Sequence, residues 1–162
     1  MSKLYVDNIN PNSSWTGEEI AGNTVSPAGA VLQVIEKSNG DAVTTTSTGT
    51  WVDSGLELTI TPASVSSKIL LQAAWEVNVT ATAGQGYRFT RNGTSLYDPV
   101  ATHSVYSTGG SYQMPALQHL DAPNTTSAIT YKLQLQGYNT NATAFNYLGH
   151  FRTSLIAMEI AG

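Results

Sequence analysis

The sequence predicts an all-β protein, an antiparallel β-sandwich or jelly roll that follows an extended N-terminal arm. Apolar and polar residues alternate with a period of two in several segments, most completely over residues 69–79. Turn-forming residues separate these segments at intervals of roughly 8–12 residues, and no segment shows the helical period. We therefore expect about eight to ten short strands.

Residues 1–28 differ from the rest of the chain and are predicted to form the arm, with the head domain at residues 29–162. Fully extended, the arm spans at most roughly 90 Å. It holds too few apolar residues for a core of its own. A disordered tail is the alternative, but such tails usually lack aliphatic and aromatic anchors. The candidate docking residues of the arm are Leu4, Tyr5, Val6, Ile9 and Trp15.

The head begins with a strand predicted over residues 31–37, which a Ser-Asn-Gly-Asp turn ends. Residues 44–50 are rich in Thr and Ser and suit either an edge strand or a loop. Residues 56–61 alternate cleanly and stop at Pro62, because proline cannot donate a ladder hydrogen bond.

The run over residues 69–79 predicts one long central strand, about 33 Å at ~3.3 Å per residue. Its odd positions are all apolar, and polar residues occupy its even positions at Gln72, Glu76 and Asn78. One face of the strand is therefore buried. We expect Trp75 and Val77 to lie in the core between two sheets, together with Leu133 from a later strand.

Residues 83–86 read as a turn that precedes a strand at residues 87–90. The Asn-Gly pair at 92–93 is a strong hairpin signal and predicts a return strand at 95–97. Residues 98–110 have no clear period and are predicted to form a long surface loop.

The last third of the chain supplies the remaining strands. Residues 111–120 contain Pro115, which indicates an edge or bulged strand. Residues 129–136 alternate as a half-buried strand, and a short strand follows near residue 145. Residues 152–160 close the head with a strand that is apolar on both faces.

Composition excludes several classes of protein. Charged residues make up only 11% of the chain and the net charge is −4, and the few basic residues are scattered. A nucleic-acid partner is therefore not expected, since it requires clustered Lys and Arg. The absence of cysteine excludes disulfides and cysteine zinc sites. No apolar run reaches ~18 residues, so no membrane insertion is expected, and the N-terminus lacks the apolar core of a signal peptide.

The sequence shows no reaction chemistry. His119 and Asp121 lie two apart, hence on one face of a strand, but a metal site needs further ligands. The alternative is a strand-end histidine followed by a turn-capping aspartate. The residue types of a catalytic triad are present in Asp98, Ser104 and either His103 or His150, but their spacing does not single them out. The sequence also has no Gly-x-Ser-x-Gly nucleophile elbow. We therefore expect no catalytic residues, no metal and no cofactor.

Tyrosines around the predicted surface loop form a candidate surface for contacts with a receptor. Exposed Tyr beside Asn, Gln and Ser is typical of surfaces that bind glycans or proteins. The alternative is that these rings pack beneath the loop or at a subunit interface. The candidates are Tyr97, His103, Tyr106 and Tyr112.

Several segments resemble fibre and decoration proteins of tailed bacteriophages. The opening SKLYVDNI at residues 2–9 resembles the start of a virion-attachment arm in these proteins, and PAGAVLQV at 27–34 resembles the entry into their β-domain. The resemblance covers most of the chain. Further matching segments are SGLELTITP at 54–62, SSKILL at 66–71, RFTRNGT at 88–94 and IAMEI at 156–160.

The resemblance implies a non-enzymatic virion protein, typically a homotrimer with a jelly-roll head. Its partners are then further copies of itself and other virion proteins of the capsid or tail. The chain lacks the long repetitive shaft of a full tail fibre. A short fibre-like appendage or a capsid decoration protein therefore fits better, and a head that recognises a host surface glycan is the alternative.

Overall fold

The computed structural model describes residues 18–20, 23–39, 41–46, 49–79, 82–97, 105–108, 110–137, 143–145 and 153–162. Within these ranges the chain forms strands and no helix, as the sequence predicts. The strands are β1 (Glu18–Ile20), β2 (Asn23–Val25), β3 (Val31–Asn39), β4 (Val43–Thr45), β5 (Val52–Ile60), β6 (Lys68–Ala74), β7 (Val77–Val79), β8 (Ala83–Arg91), β9 (Thr94–Ser95), β10 (Val105–Ser107), β11 (Ser111–Gln113), β12 (Ala116–Asp121), β13 (Ile129–Gly137), β14 (Thr143–Phe145) and β15 (Thr153–Ile160).

Eight strands build two antiparallel sheets of four. Sheet I has the order β12-β6-β15-β3, and sheet II has the order β10-β8-β13-β5, with β9 adding to the edge of β8. The first of these eight strands, β3, lies beside the last, β15, at one edge of sheet I. Eight strands divided in this way between two sheets form a jelly roll.

The two sheets enclose a single apolar core. Trp75 is 1% exposed, and Val77 and Leu133 are fully buried. Burial of each large aliphatic side chain contributes about 1.5–3 kcal/mol. Sheet I contributes Ile69, Leu71, Ala73, Leu155 and Ala157, and sheet II contributes Leu56, Leu58, Ile60, Tyr87, Phe89, Ile129, Tyr131, Leu133 and Leu135.

A third sheet, sheet III, forms from the connections at one end of the sandwich. Its order is β11-β7-β14-β4. In the chain β4 follows β3, β7 follows β6, β11 precedes β12 and β14 precedes β15. The strands of sheet III therefore have the same order as the strands of sheet I to which they are connected. Sheet III continues sheet I beyond a break in the strand pairing.

This break corrects the prediction of one strand over residues 69–79, which are two strands separated at Trp75 and Glu76. Ala74 pairs with Ala116, so Trp75 lies opposite Pro115. The Trp75 amide still donates to the Pro115 carbonyl, at 3.3 Å, but proline has no N–H to return. Glu76, at an even position, is 3% exposed rather than solvated.

Two segments predicted as irregular belong to strands. Residues 83–86 form the first half of β8, where Gly84 pairs with Tyr106 of β10 and Gly86 pairs with Gln136 of β13. Residues 105–107, inside the predicted surface loop, form β10 at the edge of sheet II. Tertiary pairing outweighs weak strand propensity in both places. The predicted hairpin forms at Asn92 and Gly93, whose φ angles are +49° and +83°.

The predicted arm is described only in part. β1 and β2 pair with each other in an antiparallel arrangement, where the sequence indicates an extended segment. The docking candidates Leu4, Tyr5, Val6, Ile9 and Trp15 lie outside the described residues. Docking by these residues stays a prediction.

Replacing Trp75 by alanine is expected to lower the free energy of unfolding by about 3–5 kcal/mol, because it removes a buried ring from the core. The Trp75 ring centroid lies 4.4 Å from that of Tyr87. Urea denaturation measures the change. Tyr112→Ala is the control, since Tyr112 is 60% exposed, and it should change stability by less than about 0.5 kcal/mol. Equal midpoints for Trp75→Ala and wild type would contradict the packing.

Candidate functional site

The tyrosine surface predicted from the sequence is divided between two places. Tyr97 follows β9 and is partly buried, and its ring centroid lies 5.5 Å from that of His119. Tyr106 lies on β10, opposite Gly84 near the other end of β8. The amide of Leu96, the neighbour of Tyr97, donates to the Phe89 carbonyl, five residues along β8 from Gly84, so roughly 17 Å separate these two places. His103 lies outside the described residues.

Tyr106 and Tyr112, by contrast, lie on strands that contact each other. Tyr106 is 44% exposed on β10, and Tyr112 is 60% exposed on β11. The Gln113 side-chain amide donates to the Tyr106 carbonyl at 3.4 Å and to the Ser111 hydroxyl at 2.9 Å. Two solvent-facing rings therefore border the junction between sheets II and III.

His119 and Asp121 share one face of β12, as the sequence predicts, but Asp121 does not cap a turn. It is 7% exposed, and both of its oxygens lie 3.0 Å from Nη1 of Arg91. The Tyr131 hydroxyl donates to the same carboxylate at 2.6 Å. Burial raises the pKa of the Tyr131 hydroxyl, and its bond to Asp121 raises it further. The carboxylate thus joins β12 of sheet I to β8 and β13 of sheet II.

Among the described residues, no group of three or more histidines, aspartates and glutamates lies close enough together to hold a metal ion. Those residues also include no helix that is long and apolar enough to cross a membrane.

The outer face of sheet II is polar and internally bonded. Lys132 lies 3.1 Å from Asp53 and 2.7 Å from Glu57. Gln134 donates to Asp53 at 2.7 Å and accepts from the Arg88 guanidinium at 2.9 Å. These side chains satisfy each other across three strands while they remain in contact with water.

The outer face of sheet I is apolar at its centre. Leu120, Leu70, Met158 and Val34 lie opposite one another on β12, β6, β15 and β3, so they form one row across all four strands. The ends of the row are open to solvent, since Leu120 is 52% and Val34 58% exposed. We call this row and its neighbours on the same face, Ile156, Ile160 and Val31, the apolar face.

The exposed large apolar side chains concentrate on this side of the molecule. Seven are found among the described residues, and five of them lie on sheet I or on β11 and its connection to β12. A groove of about 490 Å³ continues the apolar face toward sheet III, over the small side chains of Ala74, Ala116 and Ser154. One feature of the sequence points to this face, because the strand predicted over residues 152–160 is apolar on both sides. The complete row could not be predicted, since it depends on the order of the strands in sheet I.

A buried carboxylate holds the connection between β5 and β6 against β15. Glu159 is fully buried, and its Oε1 accepts from the Ala63 amide at 2.7 Å. Its Oε2 accepts from the Gln33 side-chain amide at 2.5 Å. Burial raises the pKa of Glu159, but the hydrogen bonds outweigh burial and hold the pKa below its ordinary value. The ionised form is therefore the one that stabilises this connection.

Comparison with known proteins gives only distant structural likeness. No protein-family model matches the chain, and no curated protein matches it. The chain is similar to the structure of infectious bursal disease virus Gx strain, at 13% identity and a TM-score of 0.45, covering 98% of this chain and 43% of that one. It is also similar to the T13 particle of the same virus, at 15% identity and a TM-score of 0.45, covering 98% of this chain and 40% of that one.

The chain thus spans about two fifths of the length of these solved proteins. Likeness at this level assigns neither a family nor a function. The jelly-roll assignment comes from the strand order of sheets I and II.

Replacing Glu159 by glutamine is expected to lower the free energy of unfolding at pH 7 by about 1.5–3 kcal/mol, the range for hydrogen bonds to a charged group. Both carboxylate oxygens accept hydrogen bonds, so an amide would place a donor against a donor. A lowered folded-state pKa stabilises the fold above the unfolded pKa, and this contribution is lost as pH falls through the folded pKa.

Urea denaturation at a series of pH values from 7 down to 3 measures this effect. The stability difference between wild type and Glu159→Gln should shrink as the carboxylate becomes protonated. Glu57→Gln is the control, because the Glu57 side chain is 51% exposed and its ion pair is on the surface. A difference for Glu159→Gln that does not vary with pH would contradict the assigned role of the charge.

Proposed function

We propose that the chain is a structural protein of a bacteriophage virion, a short fibre-like or capsid decoration protein that forms a homotrimer. The arm at residues 1–28 docks on the particle and the jelly-roll head projects from it. The resemblance of the opening segment and of several strand segments to phage fibre and decoration proteins supports this proposal. In this proposal the chain is part of the virion and carries out no reaction.

The observation that carries the proposal is that the head has a core of its own. Among the described residues, every member of the buried apolar core lies between Leu56 and Ala157. The apolar residues near the N-terminus precede this region by about forty residues or more. A segment that carries anchors ahead of a self-contained head suits attachment to another protein.

In this proposal the arm docks by non-covalent binding, and no reaction takes place. An extended segment binds by adding a strand to an exposed sheet edge, where main-chain hydrogen bonds give affinity and alternate side chains fill pockets. The Leu-Tyr-Val run at residues 4–6 provides such side chains. Three arms on one trimer then strengthen weak single contacts through avidity.

A head that binds a host surface glycan is the second candidate function. The exposed pair Tyr106 and Tyr112 favours it, because aromatic rings with polar tips beside amide and hydroxyl side chains suit contacts with sugars. A jelly roll is compatible with both functions, since one fold serves many unrelated purposes.

Removing residues 1–17 is expected to abolish incorporation into particles and to leave the head folded. The measurement is the amount of the protein in purified particles after phage assembly in a host that expresses each variant. Val6→Asp should reduce incorporation more than tenfold, because it puts a charge on a docking anchor. Asn12→Asp adds the same charge elsewhere in the arm and serves as the control. Wild-type incorporation of the truncated protein would contradict docking by the arm.

If the head binds glycans, the double variant Tyr106→Ala/Tyr112→Ala should lose at least tenfold in affinity for any ligand found on a glycan array. Tyr97→Ala is the control, since Tyr97 lies beside His119 and apart from β10 and β11. The absence of binding by correctly assembled wild-type protein, or equal binding by the double variant, would contradict this second function.

A further inference from the structure

The outer face of sheet II is polar, whereas the apolar face of sheet I has the composition expected of a surface that another molecule covers. On sheet II, Asp53, Glu57, Lys132 and Arg88 are joined in one polar network. On sheet I, the corresponding central positions are occupied by the row Leu120, Leu70, Met158 and Val34. Contiguous exposed apolar patches of a few hundred Å² commonly mark association sites.

Two charged residues flank this row, one of each sign. Lys68 lies on β6 opposite Ile160, and Glu36 lies on β3 opposite Ile156. Both are exposed. Because β15 runs between β6 and β3, the two charges lie diagonally across β15 with Met158 midway between them. At strand spacings of ~4.8 Å and ~3.4 Å per residue, they are roughly 17 Å apart.

The positions of Lys68 and Glu36 allow two copies of the apolar face to match each other in charge. Consider a second copy turned over about an axis that lies in the face and passes through Met158, perpendicular to the line that joins the charges. That rotation places Glu36 of each copy against Lys68 of the other, and it brings the two Met158 side chains together. The apolar rows of the two copies then cross at Met158, between two ion pairs of opposite polarity. A patch used twice in this way is an isologous contact.

We propose that the apolar face of sheet I packs against the same face of a second copy of this chain, with Met158 at the twofold axis and Glu36–Lys68 pairs on both sides. The charge match favours a second copy over an unrelated partner, because the face carries one charge of each sign although the chain carries a net charge of −4.

The size of the face is adequate for the centre of such a contact. Four strands cover about 19 Å, and six residues of each cover about 20 Å, which is about 380 Å² in outline and includes the polar Gln72 and Gln118 beside the apolar row. Each partner in a standard interface buries about 800 Å². The face therefore supplies about half of that area, and the flanking groove and the exposed Tyr112 and Met114 are placed to complete its rim.

This contact is separate from the proposed trimer. A cyclic trimer brings two different surfaces of each subunit together, whereas the twofold contact uses one surface twice. The inference therefore stands without the trimer. If both contacts form, pairs of trimers result.

Light scattering on the full-length protein tests the inference. Wild type should have a mass of an even number of 17.2 kDa chains, two or six. Val34→Lys should halve that mass, because it puts a charge at the end of the apolar row. Thr59→Lys, which makes the same change at an exposed position on the outer face of sheet II, should leave the mass unchanged.

A charge exchange keeps the test independent of folding. Glu36→Lys and Lys68→Glu should each weaken association at least tenfold, since each places like charges together. The double variant Glu36→Lys/Lys68→Glu should restore wild-type association. Failure of the double variant to recover would overturn the twofold arrangement.

The outcomes separate this inference from the proposed function. A wild-type trimer that Val34→Lys does not change would overturn the face-to-face contact and support the proposed trimer. A wild-type monomer at 100 µM would overturn the contact as well, and it would leave virion docking to be decided by the incorporation experiment. An assembly that persists in Val34→Lys but is lost on removal of residues 1–17 would show that the arm forms the contact instead.

Discussion

Insertion of β15 between β3 and β6 is the interaction on which the rest of the structure depends. It pairs the last strand of the head with the first and completes sheet I. Its inward side chains, Leu155 and Ala157, belong to the core. Its outward side chains form the middle of the apolar face, and Glu159 near its end holds the connection between β5 and β6. One strand therefore serves the core, the surface and the adjoining loop.

This dependence has a consequence for folding. The jelly roll pairs strands from the two ends of the head, so few of its contacts are local, and such topologies fold slowly compared with helical bundles. Sheet III adds to this, because its four strands come from four separate connections. The break between sheets I and III occurs where Pro115 faces Trp75 in the ladder, and the core continues past the break through Val77 and Val79.

The sequence predicted what depends on period and on local turn chemistry. Alternation over residues 69–79 identified the buried side of β6 and β7, and the Asn-Gly pair identified the β8–β9 hairpin. The sequence did not predict the features that depend on which distant strands and side chains come together. The local sequence does not predict that Pro115 faces Trp75 or that two glycines lie within β8. It also does not predict that Asp121 binds Arg91 and Tyr131. The apolar face was missed for the same reason, since its row is formed by four distant strands brought into register.

The two outer faces of the sandwich suggest how this head is used. The face of sheet II satisfies its charges internally and suits water, whereas the face of sheet I leaves an apolar row between one positive and one negative charge. In the proposed contact a second copy covers that row. Methyl NMR on a mixture of isotope-labelled and unlabelled protein tests it most directly, because the chain has only three methionines. If a second copy covers the row, an intermolecular nuclear Overhauser effect is expected between the Met158 methyl groups of different copies. A Met158 methyl signal with intramolecular contacts alone, unchanged by protein concentration, would contradict it.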